Sequence, residues 1–401
     1  MITLSDISAA AERIQSSILT TPLVFSPALS RMFKGDIYLK MENLQKTGSF
    51  KIRGATNLIK ARREKIPPGG VVAASAGNHA QGVALAARQA GVPATIVMPL
   101  GASISKQEAT RNYGGQVLLE GRTVSESLSY AKQLARDGRM FIHPFDDPLV
   151  MAGQGTIALE ILASLPEVDR VVIPVGGGGL IAGIAVALRN LKPDVTITGV
   201  QSEACPSAAQ ALQKGAVVKV SGGTSIADGI AVRQTGRAPF AVMRDQVDDV
   251  VLVKEEDIAA AILLLMERKK IVAEGAGAVA LAALMSAAVP IQPGEKAVLL
   301  ISGGNLDSPL LGRIIRKGLI QSGRIMRINV MLDDVPGSLA RLLKLIADNK
   351  ANVLHIHHDR SRRDFPVSVT AVELELETRG DDHIRTIKQV LDKAGYTLIF
   401  C

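Results

Sequence analysis

The chain of 401 residues has no tryptophan, only two cysteines, and few aromatic residues, which make up 3% of its length. Two cysteines, Cys205 and Cys401, are too few for a disulfide framework and fit a reducing compartment. Nucleic-acid-binding surfaces usually combine clustered basic residues with aromatic ones, whereas here the net charge of +8 is scattered. We therefore expect no nucleic-acid partner, and we interpret the positive charge as a property of the solvated surface.

Long hydrophobic runs are also missing. The apolar run 258–266 lies between charged residues and is too short to span a bilayer. Residues 1–13 carry Asp6 and Glu12, and they lack the basic and then apolar start of a signal peptide. These absences predict a cytoplasmic protein without a membrane partner.

Hydrophobic residues make up 47% of the chain, a level typical of a packed α/β enzyme. From about residue 37 to 305, short β-branched runs alternate with helical patterns, which predicts parallel sheets with helices on both faces. The predicted strands are 37–41, 71–75, 94–98, 116–119, 141–143, 170–175, 196–201, 249–253 and 297–302, and the predicted helices include 80–90, 125–136, 155–162, 181–190 and 255–267. Ligands of such folds bind beyond the carboxyl ends of the strands, so a site is expected in the strand-to-helix turns.

The sequence pattern changes near residue 325. The predicted strands are now 327–332, 352–359, 367–377 and 397–400, and the predicted helices are 339–348 and 381–394. Within 372–377, apolar residues alternate with glutamates, which indicates an open antiparallel sheet with one buried face. The order βαββαβ is ferredoxin-like. We therefore predict two domains, 1–325 and 326–401, with a smaller subdomain at about 40–145 inside the first.

One lysine stands between two apolar residues in the segment 46–55. Lys51, between Phe50 and Ile52, is predicted to be buried at a helix start, where desolvation and the helix dipole both disfavour the ammonium form. A neutral lysine amine forms Schiff bases with carbonyl compounds, including pyridoxal phosphate. The alternative is a buried lysine with a structural role only, and this segment alone does not decide between the two.

Four consecutive glycines, 176–179, separate a predicted strand from a predicted helix. Their backbone N–H groups can converge on one anion at the positive end of the helix, so phosphate is the expected ligand. A packing role and a dinucleotide site are the alternatives, because Gly177, Gly179 and Ala182 match a G-x-G-x-x-A pattern and Glu203 follows the next strand. That pattern normally follows the first strand of its domain, and here it falls in mid-chain.

Two further strand-to-loop junctions carry polar groups. In 75–82, the backbone and the Ser75 hydroxyl group are expected to bind a substrate carboxylate, and Asn78 to donate to an anionic ring oxygen. Helix capping would also account for Asn78, and we interpret His79 as a hydrogen-bonded residue of the helix start. Ser302 is expected to hydrogen-bond a pyridine nitrogen without protonating it, which suits β-elimination, with a plain turn residue as the alternative.

In order and spacing, segments 49–55, 75–79, 176–180 and 302–305 resemble the signature segments of the pyridoxal-phosphate-dependent threonine and serine dehydratases. Pro22 and the segments 42–45, 227–229 and 274–276 are also similar, so the resemblance covers roughly 1–320. It implies the fold of type II pyridoxal phosphate enzymes, an α/β fold of two open, mainly parallel sheets with helices on both faces. It also implies Lys51 as the Schiff-base lysine and catalytic base.

The residues that the resemblance implies for binding pyridoxal phosphate are Phe50, Lys51, Asn78, Gly176, Gly177, Gly178, Gly179, Leu180, Gly229 and Ser302. The residues implied for binding the amino-acid substrate are Ser75, Ala76, Gly77, Asn78 and His79.

The segment from about 326 onward resembles an ACT domain, and 334–339 matches its ligand loop. The resemblance implies an amino-acid effector at this loop and a homodimer or homotetramer, whereas the alternative is a domain that only builds the oligomer. The implied regulatory residues are Asp334, Pro336, Gly337, Ser338 and Leu339. Nearby, His355, His357 and His358 share one predicted strand, and we expect no metal site there because no acidic partner stands at ligand spacing.

The resemblance implies β-elimination of L-threonine to 2-oxobutanoate and ammonia, with L-serine as a second substrate and with allosteric control. The alternatives are a serine racemase, a hydroxyaspartate dehydratase, and an amino-acid sensor without catalysis. Ala76 stands where serine racemases carry a second serine that reprotonates the α-carbon, so we expect weak racemisation. Gln201 stands where some relatives carry an acidic metal ligand, with Glu203 two residues on, so we expect no metal.

Overall fold

The computed structural model describes residues 1–360 and 366–400. The chain forms two compact units, Met1–Asp307 and Ser308–Cys401. Among the described residues, no helix is both long and apolar enough to cross a membrane.

The first unit is built from alternating strands and helices. Its helices are α1 (Leu4–Ile14), α2 (Pro27–Phe33), α3 (Lys51–Ala61), α4 (Asn78–Gln89), α5 (Ile104–Asn112), α6 (Val124–Arg136), α7 (Pro148–Ser164), α8 (Gly179–Leu191), α9 (Ser207–Lys214), α10 (Arg237–Gln246), α11 (Glu255–Leu264) and α12 (Gly275–Met285). Its strands are β1 (Leu23–Phe25), β2 (Asp36–Lys40), β3 (Val71–Ala74), β4 (Ala94–Met98), β5 (Gln116–Leu119), β6 (Met140–Phe141), β7 (Arg170–Pro174), β8 (Thr196–Ser202), β9 (Asp249–Val253) and β10 (Lys296–Leu300).

These strands form two sheets, one with the order β1-β2-β10-β7-β8-β9 and one with the order β5-β4-β3-β6. Neighbouring strands are parallel except β1 and β2, which pair antiparallel. The smaller sheet lies within the segment predicted as a subdomain. Strands such as β3 are apolar throughout because helices cover both faces, and the predicted mainly parallel α/β fold is confirmed.

Several predicted elements differ in length from the observed ones. Helix α7 begins at Pro148, well before the predicted 155, because the Asp147 side chain accepts from the first helical N–H groups. The predicted helix 255–267 is divided, since α11 ends at Leu264 and a π-helical turn, Leu265–Lys269, follows.

Helices α3, α7 and α8 pack closely because glycines face one another where they cross. A Cβ atom at Gly183 of α8 would lie 2.1 Å from the carbonyl oxygen of Met151 in α7. A Cβ atom at Gly153 of α7 would lie 2.7 Å from the Cα atom of Gly54 in α3. These crossings hold α3, and with it Lys51 at its first position, against the core.

The second unit has the order βαββαβ after an initial helix. Its helices are α13 (Ser308–Gln321), α14 (Ser338–Asp348) and α15 (Asp381–Lys393), and its strands are β11 (Ile325–Asp333), β12 (Asn352–Asp359), β13 (Val369–Glu377) and β14 (Leu398–Phe400). The strands form an antiparallel sheet with the order β12-β13-β11-β14, as predicted for a ferredoxin-like domain.

Helix α13 belongs to the second unit, although the sequence placed the boundary after it, at residue 325. An ion pair also links this helix to the sheet of the same unit. The guanidinium group of Arg316 in α13 lies 2.5 Å from the Glu375 carboxylate in β13, which also binds Arg327 of β11 at 3.0 Å. The domain boundaries predicted from the sequence stay a prediction.

Candidate active site

One cleft in the first unit collects residues from all four signature segments. It has a volume of about 880 Å³, and every residue predicted to bind cofactor or substrate lines it. Residues far apart in the sequence meet there because the segments follow strands of both sheets. The individual roles of these residues stay predictions.

Lys51 reaches into this cleft from the start of α3. Its Nζ atom donates to the carbonyl oxygen of Pro144 at 3.0 Å and lies 5.1 Å from the centre of the Phe50 ring. Desolvation by the surrounding protein lowers the pKa of Lys51 to about 8, while the charge of Glu274 acts in the opposite direction. The lowered pKa makes the neutral amine, which a nucleophile or base requires, far more accessible near neutral pH than it is in an exposed lysine.

Two residues beyond Lys51, a buried ionic network anchors α3. The Arg53 side chain is fully buried and contacts Glu42 at 2.7 Å and Glu160 of α7 at 2.6 Å. Lys40 of β2 completes the network with a 2.5 Å contact to Glu160. Two cations thus match two carboxylates, and the network ties the helix that carries Lys51 to both a strand and a neighbouring helix.

The glycine loop at the start of α8 leaves no room for side chains. A Cβ atom at Gly177 would lie 2.4 Å from the Phe145 ring, and one at Gly179 would lie 2.6 Å from the carbonyl oxygen of Phe145. Gly178 has a φ of +93° at the helix N-cap, in the region that favours glycine. The first N–H groups of a helix lack intrahelical partners, so this bare cradle fits a phosphate group.

Ser302 follows β10, lines the cleft and is 2% exposed. Its hydroxyl group contacts the carbonyl oxygen of Ala276 at 3.3 Å, a long hydrogen bond that leaves the hydroxyl free to turn toward a ligand. Its carbonyl oxygen accepts from the N–H group of Phe50 at 3.1 Å. Ser302 and the start of α3 are therefore held together directly.

The two histidines of the cleft are neutral hydrogen-bonding residues. His79 Nε2 lies 3.0 Å from the carbonyl oxygen of Ile142, and burial lowers the pKa of His79 to about 3, with Lys51 adding to the shift. His143 Nδ1 accepts from the N–H group of Asp146 at 2.8 Å, and desolvation lowers the pKa of His143 to about 4. Neither fits a general acid or base near pH 7, in agreement with the interpretation of His79.

Two polar residues of the cleft that contact Asn78 were missing from the predicted sites. Glu274 accepts from Asn78 Nδ2 at 2.6 Å, and Asn305 donates to Asn78 Oδ1 at 2.6 Å. Both stand in segments that resemble the family, 274–276 and 302–305, so a signal existed. The sequence could not show that these segments meet at Asn78.

Gln201, which the resemblance compares with an acidic metal ligand, is buried, and both polar atoms of its side chain make hydrogen bonds. Its Oε1 atom accepts from the N–H groups of Ala208 at 2.8 Å and Ala209 at 3.1 Å, at the start of α9. Its Nε2 atom donates to the carbonyl oxygen of Val175 at 3.1 Å. The residue therefore caps a helix with its side-chain amide.

The predicted regulatory loop lies in the second unit, between β11 and α14. Asp334 accepts from Arg360 at 3.0 Å, and Ser338 accepts from Arg341 at 3.0 Å. Gly337 has a φ of +90° and forms the N-cap of α14, a position that favours glycine. Pro336 precedes Gly337, and Leu339 lies in the first turn of α14.

The register of β12 and β13 gives the histidines acidic neighbours that the sequence spacing does not reveal. His355 pairs with Glu375, and His357 pairs with Glu373. Even so, within 1–360 and 366–400 no group of three or more His, Cys, Asp or Glu residues is arranged to hold a metal ion.

Comparison with known proteins gives two family matches. Residues 14–303 match the family model of the pyridoxal-phosphate-dependent enzymes, and residues 326–392 match that of the ACT domain. A relative from Thermotoga maritima named L-threonine ammonia-lyase is 50% identical, over 99% of this chain and 98% of its own.

Solved structures give the same fold for the first unit. The processed form of threonine deaminase isoform 2 from Solanum lycopersicum is 39% identical with a TM-score of 0.75, covering 78% of this chain and 86% of its own. Maize serine racemase is 34% identical with a TM-score of 0.74, covering 80% of this chain and 98% of its own.

Proposed function

The chain belongs to the family of pyridoxal-phosphate-dependent enzymes, and we propose that it is an L-threonine ammonia-lyase with a C-terminal ACT domain. One observation carries the proposal. A single cleft unites a lysine of lowered pKa, a glycine cradle for phosphate and Ser302, in a chain that matches an L-threonine ammonia-lyase over its whole length. The products are 2-oxobutanoate and ammonia, and L-serine is a second substrate.

The residues of the cleft fit the cofactor group by group. The N–H groups at the start of α8, beside Gly176–Gly179, would hold its phosphate, and Lys51 would hold its carbonyl carbon. Asn78 and Ser302 would hydrogen-bond its ring. When bound, pyridoxal phosphate withdraws electrons from the α-carbon of the substrate and makes its proton acidic.

Residues of the protein carry out the remaining steps. The amine of Lys51 accepts the α-proton, and its lowered pKa supplies the neutral form that this requires. The N–H groups at the start of α4 and the Ser75 hydroxyl group bind the substrate carboxylate. The α-proton and the β-hydroxyl group are lost together as one water molecule, and a second water molecule hydrolyses the released enamine to the keto acid and ammonia.

The proposal distinguishes elimination from racemisation by one residue. Reprotonation of the α-carbon on the face opposite Lys51 needs a second proton donor, and Ala76 supplies only a methyl group there. A serine racemase is therefore the weaker candidate, although maize serine racemase has the same fold.

The test is keto-acid release from L-threonine by the full-length protein loaded with pyridoxal phosphate. We expect 2-oxobutanoate and ammonia in equal amounts, and no product from the Lys51→Ala variant. If the loaded protein produces no keto acid from L-threonine or L-serine, the proposal is wrong.

For the second unit we propose an amino-acid effector at the loop formed by Asp334, Pro336, Gly337, Ser338 and Leu339. The support is the ACT match together with the turn that Gly337 permits at the start of α14. Calorimetry with isoleucine and valine should show heat of binding and a changed rate. A homodimer or homotetramer and a cytoplasmic location are further parts of the proposal.

A further inference from the structure

A chain of hydrogen bonds runs along the cleft from the backbone of Thr47 to the carboxyl group of Glu274. Asn305 Nδ2 donates to the carbonyl oxygen of Thr47 at 2.9 Å and to Asn78 Oδ1 at 2.6 Å, with a longer contact of 3.3 Å to Gln81. Asn78 Nδ2 in turn donates to Glu274 Oε1 at 2.6 Å. The amide of Asn78 thus joins the two ends of this series of hydrogen bonds, Thr47 and Glu274.

The carbonyl oxygen of Thr47 fixes which groups donate and which accept in this series of hydrogen bonds. A carbonyl oxygen only accepts, so Asn305 turns its Nδ2 group toward Thr47 and offers its other hydrogen to Asn78 Oδ1. An ionised carboxyl group also only accepts, so Asn78 presents Nδ2 to Glu274. A reversed Asn78 amide would set donor against donor at one end and acceptor against acceptor at the other. One hydrogen of Asn78 Nδ2 therefore remains for an acceptor in the cleft.

The charge of Glu274 decides how firmly this direction is held. Burial and the charge of Asp228 raise the pKa of Glu274 to about 7, while Asn78, Lys106 and Lys51 act against them. A protonated Glu274 can donate to Asn78 Oδ1, so the reversed amide then finds a partner at this end and meets another donor only at Asn305. The constraint on Asn78 is complete only when Glu274 is ionised.

Among the described residues, the Glu274 side chain forms no hydrogen bond other than the one that it accepts from Asn78. The residue is the N-cap of α12, yet its side chain makes no capping hydrogen bond there. Its Oε1 atom would lie 2.3 Å from a Cβ atom at Gly303, so a glycine is needed to admit it to the cleft wall. The carboxyl group is therefore directed at Asn78.

We infer that Glu274 is a positioning residue, which in its ionised form holds the Asn78 amide so that an N–H donor faces a cofactor oxygen in the cleft. The inference rests on the proposed function, because the acceptor is an anionic ring oxygen of pyridoxal phosphate. Glu274 acts through Asn78 and sets the affinity for the cofactor.

The test measures binding of pyridoxal phosphate to the full-length protein, by its visible absorption, across the neutral pH range and without substrate. Glu274→Gln keeps an acceptor for Asn78 and removes the titration, and Glu274→Ala removes both. Glu203→Gln, at an exposed position, is the matched control. Asn305→Ala removes the side chain that links Asn78 to the backbone of Thr47.

We expect the dissociation constant of the wild type to rise relative to that of Glu274→Gln as the pH falls through neutrality. Glu274→Ala and Asn305→Ala should each weaken binding by about tenfold, and Glu203→Gln should follow the wild type. A Glu274→Gln profile parallel to that of the wild type would overturn the inference, even if Glu274→Ala fails to fold. If the wild type binds the cofactor but releases no keto acid, the proposed function fails and this inference stands.

Discussion

The Nζ atom of Lys51 lies 3.0 Å from the carbonyl oxygen of Pro144, and the next residue, Phe145, packs against the glycine loop. The turn that contains both is braced by His143, whose Nδ1 atom accepts from the N–H groups of Phe145 and Asp146. One short turn therefore positions the amine of Lys51 and shapes the phosphate cradle. The geometry of the cleft depends on this turn as much as on the signature segments.

The phosphate cradle predicts a sharp sensitivity to added side chains. Gly179→Ala would drive a Cβ atom against the backbone of Phe145, so we expect the affinity for pyridoxal phosphate to fall by more than about tenfold. Gly101→Ala, where a Cβ atom has no neighbour within 4 Å, is the control. Titration of the cofactor absorption band measures the affinity of both variants for pyridoxal phosphate. Equal affinities would contradict the role of the glycine loop in binding the phosphate group.

The specificity for elimination predicts a gain of function. Ala76→Ser places a hydroxyl group in the cleft where a proton donor is absent, so formation of D-serine from L-serine should increase. Chiral chromatography of the reaction measures it, and release of pyruvate from the same sample is the internal control. Unchanged D-serine would show that the side chain at position 76 does not limit racemisation.

The buried His79 predicts a loss of stability in acid. Its pKa is lowered by burial from 6.5 to about 3, so the unfolded chain binds one more proton than the folded chain between these values. Stability therefore rises with pH in this window and falls as the pH drops below 6.5, by about 1.4 kcal/mol per pH unit for this group.

The variant His79→Gln tests this dependence, because glutamine keeps a donor for the carbonyl oxygen of Ile142 and does not titrate. Urea unfolding at several pH values should give a shallower slope for the variant than for the wild type. Parallel slopes would mean that His79 is not protonated on unfolding.

The ionic network of α3 predicts a large cost for removing one partner. Arg53→Met leaves the buried Glu42 and the partly buried Glu160 without their main cation, so we expect a loss of about 3–5 kcal/mol in the free energy of unfolding. Arg244→Met removes an exposed pair with Asp245 and should leave stability close to that of the wild type. Similar denaturation curves for the two variants would contradict the role of the network.

The sequence predicted most strands and several long helices, such as α4, α6 and α8, because each carries its own apolar pattern. It named no helix at α1, α12 or α13. It missed β1, a strand of three residues that pairs antiparallel with β2, since so short a run has no periodicity to detect. The ion pair of Arg316 with Glu375, which links α13 to the sheet of the second unit, joins residues 59 positions apart and has no local signal in the sequence.

In the candidate site, too, the residues with a local sequence pattern could be predicted and the contacts between distant segments could not. Lys51 and the glycine loop are visible locally, because a lysine between two apolar residues and a run of four glycines after a strand each stand out within a short segment. The contact between Asn78 and Glu274 spans 196 residues, and the contact between Asn305 and Asn78 spans 227. Such contacts depend on how the two sheets meet, which no local pattern encodes.

The most direct test of the account is the rate of 2-oxobutanoate release from L-threonine by the purified protein loaded with pyridoxal phosphate, beside its Lys51→Ala variant. The account predicts rapid release by the wild type, and for the variant both the loss of turnover and the loss of the covalently bound cofactor band. An active Lys51→Ala variant, or a loaded wild type that leaves L-threonine unchanged, would contradict it.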